Sequence, residues 1–286
     1  MGVVLITGCS SGFGLEAAIA FAERGDTVIA TMRNLGKAET LRKRAADAGV
    51  EVDLEALDVT SDESVATAVA AVVGRHGAID VLVNNAGVGF GGPVETMPMD
   101  AARELMETNF WGAVRMIRAV LPGMRERRSG VVINVTSLAG RLPGTLYEAM
   151  YSASKHALGA LSESLLGELQ PFGIRVVCIE PGFFATEISH NNEAVDQGVA
   201  GSAYEADASW FRVFMDTSVS TGADARVVAE AIVAAADDPD APLHQAIGDD
   251  AQVYLSLYES AGSVEGWLEA AIPIVESIAG PRPTPA

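Results

Sequence analysis

Val3-Val4-Leu5-Ile6-Thr7-Gly8-Cys9-Ser10-Ser11-Gly12-Phe13-Gly14 reads as a short apolar strand running into a glycine-rich loop, and a helical pattern continues over 15–24 until Gly25 stops it. Strand, glycine loop and helix in this order form a phosphate cradle. The glycines let the backbone approach closely, and the helix N-terminus offers free N–H groups and the positive end of its dipole. Glycines also serve ordinary tight turns, so it is the placement between strand and helix that points to a nucleotide.

Outward from this unit the alternation repeats. Strands are predicted over 27–31, 52–57, 79–83, 131–136, 174–179 and 243–247, with helices over 35–48, 62–75, 100–127, 151–170 and 223–236. Mostly apolar strands separated by helices predict a parallel sheet covered on both faces. The fold class is therefore α/β: a single doubly wound (Rossmann) domain over 1–286, with a predominantly parallel sheet of about seven strands. Its ligand would lie at the carboxyl ends of the strands. No internal repeat or linker divides the chain.

Composition removes several functions. With 38 acidic against 19 basic residues and a net charge of −19, the surface repels a nucleic-acid backbone. The basic knot Arg125-Glu126-Arg127-Arg128 falls where a helix should end and complements its dipole. No apolar run reaches the roughly 18 residues of a membrane span, and Ile6 argues against myristoylation of Gly2. The two cysteines, Cys9 and Cys178, fit reduced thiols, so a cytoplasmic protein is expected. His76, His156, His190 and His244 lack metal-ligand spacing, and no metal is expected. A P-loop is absent as well.

The second strand ends in Thr31-Met32-Arg33-Asn34, where an NAD-binding fold typically carries a carboxylate for the ribose 2′-hydroxyl. Arg33 could instead fork onto a 2′-phosphate, which predicts NADP(H) over NAD(H). A mid-helix Asn109 also calls for a reason, because asparagine competes for backbone groups.

In Tyr151-Ser152-Ala153-Ser154-Lys155 the four-residue spacing sets a phenol beside an ammonium on one helix face. A nearby positive charge favours phenolate, and so brings the tyrosine pKa down from about 10 toward the working range of an acid/base catalyst. Tyr147 shares the face but has no lysine one turn on, so it is expected to line the pocket or pack.

Thr7 to Gly14, Asn84-Asn85-Ala86-Gly87, Asn109, Ser137, Tyr151, Lys155 and Pro181-Gly182, in this order and spacing, resemble the short-chain dehydrogenase/reductase family. The resemblance runs over 3–190 and more weakly to 250. It implies that Tyr151 exchanges a proton with the substrate oxygen and that Ser137 hydrogen-bonds that oxygen. Lys155 would lower the Tyr151 pKa and hold the nicotinamide ribose, and Asn109 would hold a water linking Lys155 to solvent. It further implies that Gly8, Gly12 and Gly14 admit the pyrophosphate, and that Ser11 joins Arg33 at the 2′-phosphate. Asp58 and Val59 would flank adenine, Asn85 and Gly87 the adenosine side, and Thr186 the carboxamide, with Ser10, Phe13, Ala86, Pro181 and Gly182 also expected among the cofactor-binding residues. A homo-oligomer, dimer or tetramer, is usual for such proteins.

Beyond Gly182 the pattern changes. Phe183 and Phe184, a polar stretch over 189–202, and Trp210, Phe211, Phe214 and Met215 predict a substrate lid over 183–220, or aromatics that only pack on the body. A helical extension follows over 250–280, then a loose proline-rich tail over 281–286. The extension and Thr31–Asn34 are similar to the branch acting on steroids and retinoids, which favours a bulky apolar alcohol or carbonyl substrate. The expected function is an NADP(H)-dependent alcohol/carbonyl oxidoreductase. A non-catalytic NADP(H)-sensing protein, an NAD(H)-preferring dehydrogenase and lyase or epimerase chemistry stand as alternatives.

Overall fold

Strands that read as unbroken apolar runs do so because both their faces are covered. The computed structural model describes residues 2–143, 146–186 and 193–284. Its strands are β1 (Val3–Ile6), β2 (Thr27–Met32), β3 (Asp53–Ala56), β4 (Val81–Asn84), β5 (Gly130–Val135), β6 (Ile174–Pro181) and β7 (His244–Ile247). They form one sheet in the order β3-β2-β1-β4-β5-β6-β7, with every pairing parallel. The doubly wound α/β fold expected from the alternation is the fold observed.

One face is covered by α1 (Gly12–Glu23), α2 (Glu39–Ala48) and α9 (Ala225–Asp237). Ala17, Ala18 and Phe21 meet Val228, Ala229 and Ile232 there in one buried cluster. The other face is covered by α3 (Asp62–His76), α5 (Gly112–Arg127) and α6 (Ala149–Leu169), which bring Val65, Val72, Met116, Val120 and Leu165 onto Leu5, Leu82 and Val132. Each fully buried aliphatic side chain of this kind stabilises the fold by roughly 1.5–3 kcal/mol.

The helix after the glycine loop begins at Gly12, earlier than the apolar pattern indicated, so the end of the loop is the first helical turn. Residues 35–48 divide into a 3₁₀ turn at Leu35–Lys37, capped by the Asn34 side chain, and α2. The long helix over 100–127 is real but not regular. α4 (Met99–Met106) passes into a π turn at Glu107–Trp111, which contains Asn109, before α5 resumes. Residues 250–280 form α10 (Asp249–Ala261) and α11 (Val264–Ala279).

Of the expected lid, α7 (Glu193–Val199) and α8 (Glu205–Ser220) are described. The start of the polar stretch at Ser189, together with His190, lies outside the described residues. Of the tail, residues 281–284 are described, and within it Arg282 is anchored. Arg282 donates to both carboxylate oxygens of Asp207 at 2.7 and 2.6 Å and sits 5.5 Å from the Trp210 ring centroid, whose indole N–H donates to the Gly280 carbonyl. A charge-assisted pair plus a cation–π contact offsets the ordering entropy that a proline-rich tail alone could not.

β1 and β4 are paired neighbours at the switch point of the sheet, where the strand order reverses direction. Beside it a polar ladder crosses the core: Asn84 Nδ2 donates to Asn134 Oδ1 (2.8 Å), Asn134 Nδ2 to Ser162 Oγ (2.8 Å), and Ser162 to the Leu158 carbonyl (2.7 Å). Replacing Asn134 by leucine strands the buried Asn84 amide and should lower unfolding free energy by about 2 kcal/mol. The double variant Asn84→Leu/Asn134→Leu, with both partners removed, should recover part of that loss in urea titrations.

Candidate active site

The glycine loop is held by one hydroxyl and one amide. Thr7 Oγ1 accepts from the backbone N–H groups of Asn85 (3.0 Å) and Ala86 (2.9 Å), and Asn85 Nδ2 donates to the carbonyls of Thr7 (2.9 Å) and Gly8 (3.0 Å). The two loops then lie so close that a Cβ on Gly8 would fall 2.8 Å from Ala86 Cα, and one on Gly14 would fall 2.4 Å from Asn85 Nδ2. Gly8 also has φ +74°, which a side chain resists. Asn85, expected at the adenosine side, is committed through its amide to this clasp.

The other expected nucleotide residues line the same crevice. Ser11 stands at the N-cap of α1 with its hydroxyl unused as a cap, and the Gly12 Cβ position lies 3.6 Å from Thr186. Arg33 is exposed and forms no ion pair among the described residues. Its charge, behind the Thr60 hydrogen bonds that are the main stabilising cause, helps hold the Asp58 carboxyl below its ordinary range against burial. Asp58 Oδ1 accepts from Thr60 N and Oγ1, while Val59 packs where a Cβ on Gly112 would lie, 2.7 Å from Val59 Cγ2. Phe13 faces Phe184 edge-on at 5.5 Å. Gly182 is pinned on both sides: its N–H donates to the Ile247 carbonyl (3.0 Å), and the next N–H, of Phe183, donates to Asp250 at the start of α10 (2.6 Å).

Ser137, Tyr151 and Lys155 converge beyond the end of β5. Ser137 caps a 3₁₀ turn, Leu138–Gly140, accepting from Ala139 N at 3.1 Å. Because Gly140 lacks a Cβ, that turn can lie on the α6 backbone; an added Cβ would stand 3.0 Å from the Lys155 carbonyl. The contact places the Ser137 side chain beside Tyr151, near enough to influence its phenol. Lys155 is 3% exposed, donates to the Val135 carbonyl at 3.0 Å and stands 5.8 Å from the Tyr151 ring centroid. Asn109 Oδ1 accepts from Val88 N (2.8 Å), and its Nδ2 donates to Val88 O (2.9 Å) and Ser154 Oγ (3.1 Å). Those bonds account for a mid-helix asparagine: its side chain ties the loop after β4 to α6.

The electrostatics differ from the expectation that lysine lowers the phenol. Burial is the largest influence on Tyr151 and pushes its pKa well above that of a free phenol. The Glu148 charge acts in the same direction, and only the Ser137 hydroxyl opposes them. Burial also brings Lys155 down to about 8. Desolvation dominates because both groups sit in an apolar pocket and the ammonium is directed at a backbone carbonyl instead of the phenol oxygen. Tyr147, with φ +57°, is pushed up to about 12 by burial and by its hydrogen bond to Asp207, which in turn is held by Arg282. Its hydroxyl is thus committed elsewhere.

The pocket in front of Tyr151 is walled by Leu142, Phe183, Phe211, Phe214, Trp267 and Val275. Phe183 meets Phe214 at 5.6 Å and Tyr254 at 6.1 Å, edge-on in both cases. The aromatics of the expected lid therefore both pack and line the pocket. Glu148 also lines it, and sequence reasoning missed that residue because an acid at a helix start is an ordinary dipole partner. Cys9 and Cys178 are free, buried thiols, each pushed up to about 12 by burial. Among the described residues there is no cluster able to hold a metal and no helix long and apolar enough to cross a membrane.

A glycine-loop crevice at a sheet switch point, with a serine, a tyrosine and a lysine gathered at its rim, defines a dinucleotide-binding protein of the oxidoreductase type. Residues 2–197 match the short chain dehydrogenase family, and the chain belongs to that family. It is 46% identical over 188 residues to human (Homo sapiens) retinol dehydrogenase 8, a match covering 64% of this chain and 59% of that protein, less than two thirds of its length. Among solved structures, a short-chain dehydrogenase from Streptomyces avermitilis superposes with a TM-score of 0.76 at 36% identity, covering 94% of this chain and 97% of that one. A single-substitution variant of actinorhodin polyketide ketoreductase with NADPH does so with a TM-score of 0.73 at 31% identity, covering 86% and 94%.

A lysine whose pKa burial has depressed destabilises the fold while it is charged. The penalty is complete below about pH 8 and fades between pH 8 and the ordinary lysine pKa of 10.5. Lys155→Met should therefore raise the thermal midpoint at pH 7, and the gain should shrink as pH rises through that window. Differential scanning calorimetry without added nucleotide reads both.

Proposed function

We propose that this protein interconverts an alcohol and a ketone or aldehyde on a bulky, largely apolar substrate, using NADP(H). The observation that carries the reading is the convergence of Ser137, Tyr151 and Lys155 beside the glycine-loop crevice. The cofactor supplies or accepts the hydride. In the reductive direction, Tyr151 gives its phenolic proton to the substrate oxygen as negative charge develops there, and Ser137 donates a hydrogen bond to the same oxygen. The raised pKa keeps Tyr151 protonated and so ready to act as the acid. Lys155, with its ammonium on the Val135 carbonyl, is placed to hold the nicotinamide ribose. Positive charge gathered there would lower the phenol, and the oxidative direction needs this.

Support for NADP(H) comes from the free Arg33 guanidinium, the unspent Ser11 hydroxyl and the absence of an acid at the end of β2, together with the NADPH named for the ketoreductase. The aromatic wall and the retinol named for the human relative support an apolar substrate. Asn109 is placed to order the water route to Lys155 through its grip on Val88 and Ser154.

Tyr151→Phe should reduce turnover of hydrophobic carbonyls by at least about a thousandfold, and leave the affinity for NADPH within about threefold by fluorescence titration. Retained turnover would remove Tyr151 from the reaction. Arg33→Ala should raise KM for NADPH by about tenfold and leave KM for NADH nearly unchanged. Equal use of the two nucleotides by the unmodified protein would overturn the NADP(H) assignment.

A further inference from the structure

Glu148 is an acidic residue at the N-cap of α6 that does not cap the helix with its side chain. It lines the substrate pocket with Tyr151, and the Cβ position of Gly91 stands 3.4 Å from its Cγ. Among the described residues its carboxyl has no hydrogen-bond or ion-pair partner, although Arg141, Arg212 and Arg282 of the same region are each paired with another acid. A half-buried carboxyl in an aromatic and aliphatic pocket is costly unless something binds it. Burial already pushes this one up to about 7. Its charge also acts on Tyr151, as expected of two groups that share one pocket wall.

We propose that Glu148 is a substrate-recognition residue, whose carboxylate receives a hydrogen-bond donor carried by the substrate within a carbon or two of the reacting carbonyl. The inference rests on the oxidoreductase reading above and narrows its substrate class: a bulky apolar ketone or alcohol bearing a neighbouring hydroxyl or ammonium. Glu148 and Tyr151 stand at the start of α6, line one pocket, and the Glu148 charge reaches the phenol, so a donor held by Glu148 and an oxygen held by Tyr151 can belong to neighbouring parts of one ligand. The left-handed backbone at Tyr147 divides the turn: the Tyr147 hydroxyl goes to Asp207, and the next side chain goes to the pocket. Pairing Glu148 with a donor would also relieve its push on Tyr151, so the preferred substrate improves the acid/base group as it binds.

The test uses a long-chain alkyl phenyl ketone and its α-hydroxy and α-amino analogues with NADPH. For the unmodified protein, kcat/KM should be about tenfold or more higher for each donor-bearing ketone than for the plain one. Glu148→Leu should erase both preferences. Glu148→Gln, which keeps an acceptor oxygen but no charge, should retain much of the hydroxyl preference and lose most of the ammonium preference; being isosteric, it carries the test should the leucine variant fail to fold. Calorimetric Kd values of the matching amino and hydroxy alcohols for Tyr151→Phe, with and without Glu148→Gln, read recognition apart from chemistry. An affinity preference that depends on Glu148 without turnover would sink the oxidoreductase reading and leave this one standing. Equal kcat/KM and Kd across the series, or preferences unchanged in the Glu148 variants, would overturn the recognition role.

Discussion

Everything at this site depends on how closely two loops approach each other. The Thr7 hydroxyl and the Asn85 amide together make five hydrogen bonds between the ends of β1 and β4, the fifth donated by Thr7 Oγ1 to the Val83 carbonyl. They hold the backbones at a separation that leaves no room for a Cβ on Gly8 or Gly14. The clasp fixes the N-terminus of α1 against the sheet, and so fixes the dipole and the free N–H groups on which a pyrophosphate would rest. It also sets where the loop after β4 runs, and Asn109 then secures that loop to α6 through Val88 and Ser154. The glycine-loop crevice and the helix that carries Tyr151 and Lys155 are thus tied together by these hydrogen bonds and the short backbone between Ala86 and Val88.

The rim of the crevice opposes stability. Lys155 is almost wholly buried with one backbone carbonyl as partner, and Tyr151 and Glu148 are both pushed up by desolvation. Three ionisable groups in an apolar setting are individually unfavourable, and the surrounding core must offset them. Perturbed groups gathered in a cleft are what acid/base chemistry requires, because small movements of charge there change protonation. Elsewhere, buried acids are neutralised: Glu180 lies between Arg141 and His244, and Asp207 lies between Arg282 and Tyr147. The contrast sets Glu148 apart.

The fold was legible because its signals are local. Apolar runs, glycine punctuation and helix spacing act over a few residues and recover the strands to within two or three positions. That Ser137, Tyr151 and Lys155 lie together was legible because their spacing and order are distinctive. Their electrostatics were not, since burial depends on Leu142, Phe211 and Trp267, which arrive from distant parts of the chain. Four-residue spacing points to the lysine as the leading influence on the phenol, whereas desolvation leads. Asn85 shows the same limit: its motif marks a nucleotide site, but only the backbone geometry reveals that its amide is spent inside the protein. Proline content signals looseness in the tail, but it does not show that Arg282 has an acid within reach.

The pocket wall has a temporal consequence. The sheet is complete once β7 is made at Ile247, but Trp267 and Val275 of the wall, and Arg282 that steadies α8, come later in the chain. Synthesis proceeds from the N-terminus, and a domain folds as a unit. Until α11 has been made, Phe211 and Phe214 therefore lack the cover that Val275 gives them. For that interval the aromatic wall is a sticky surface instead of a binding site.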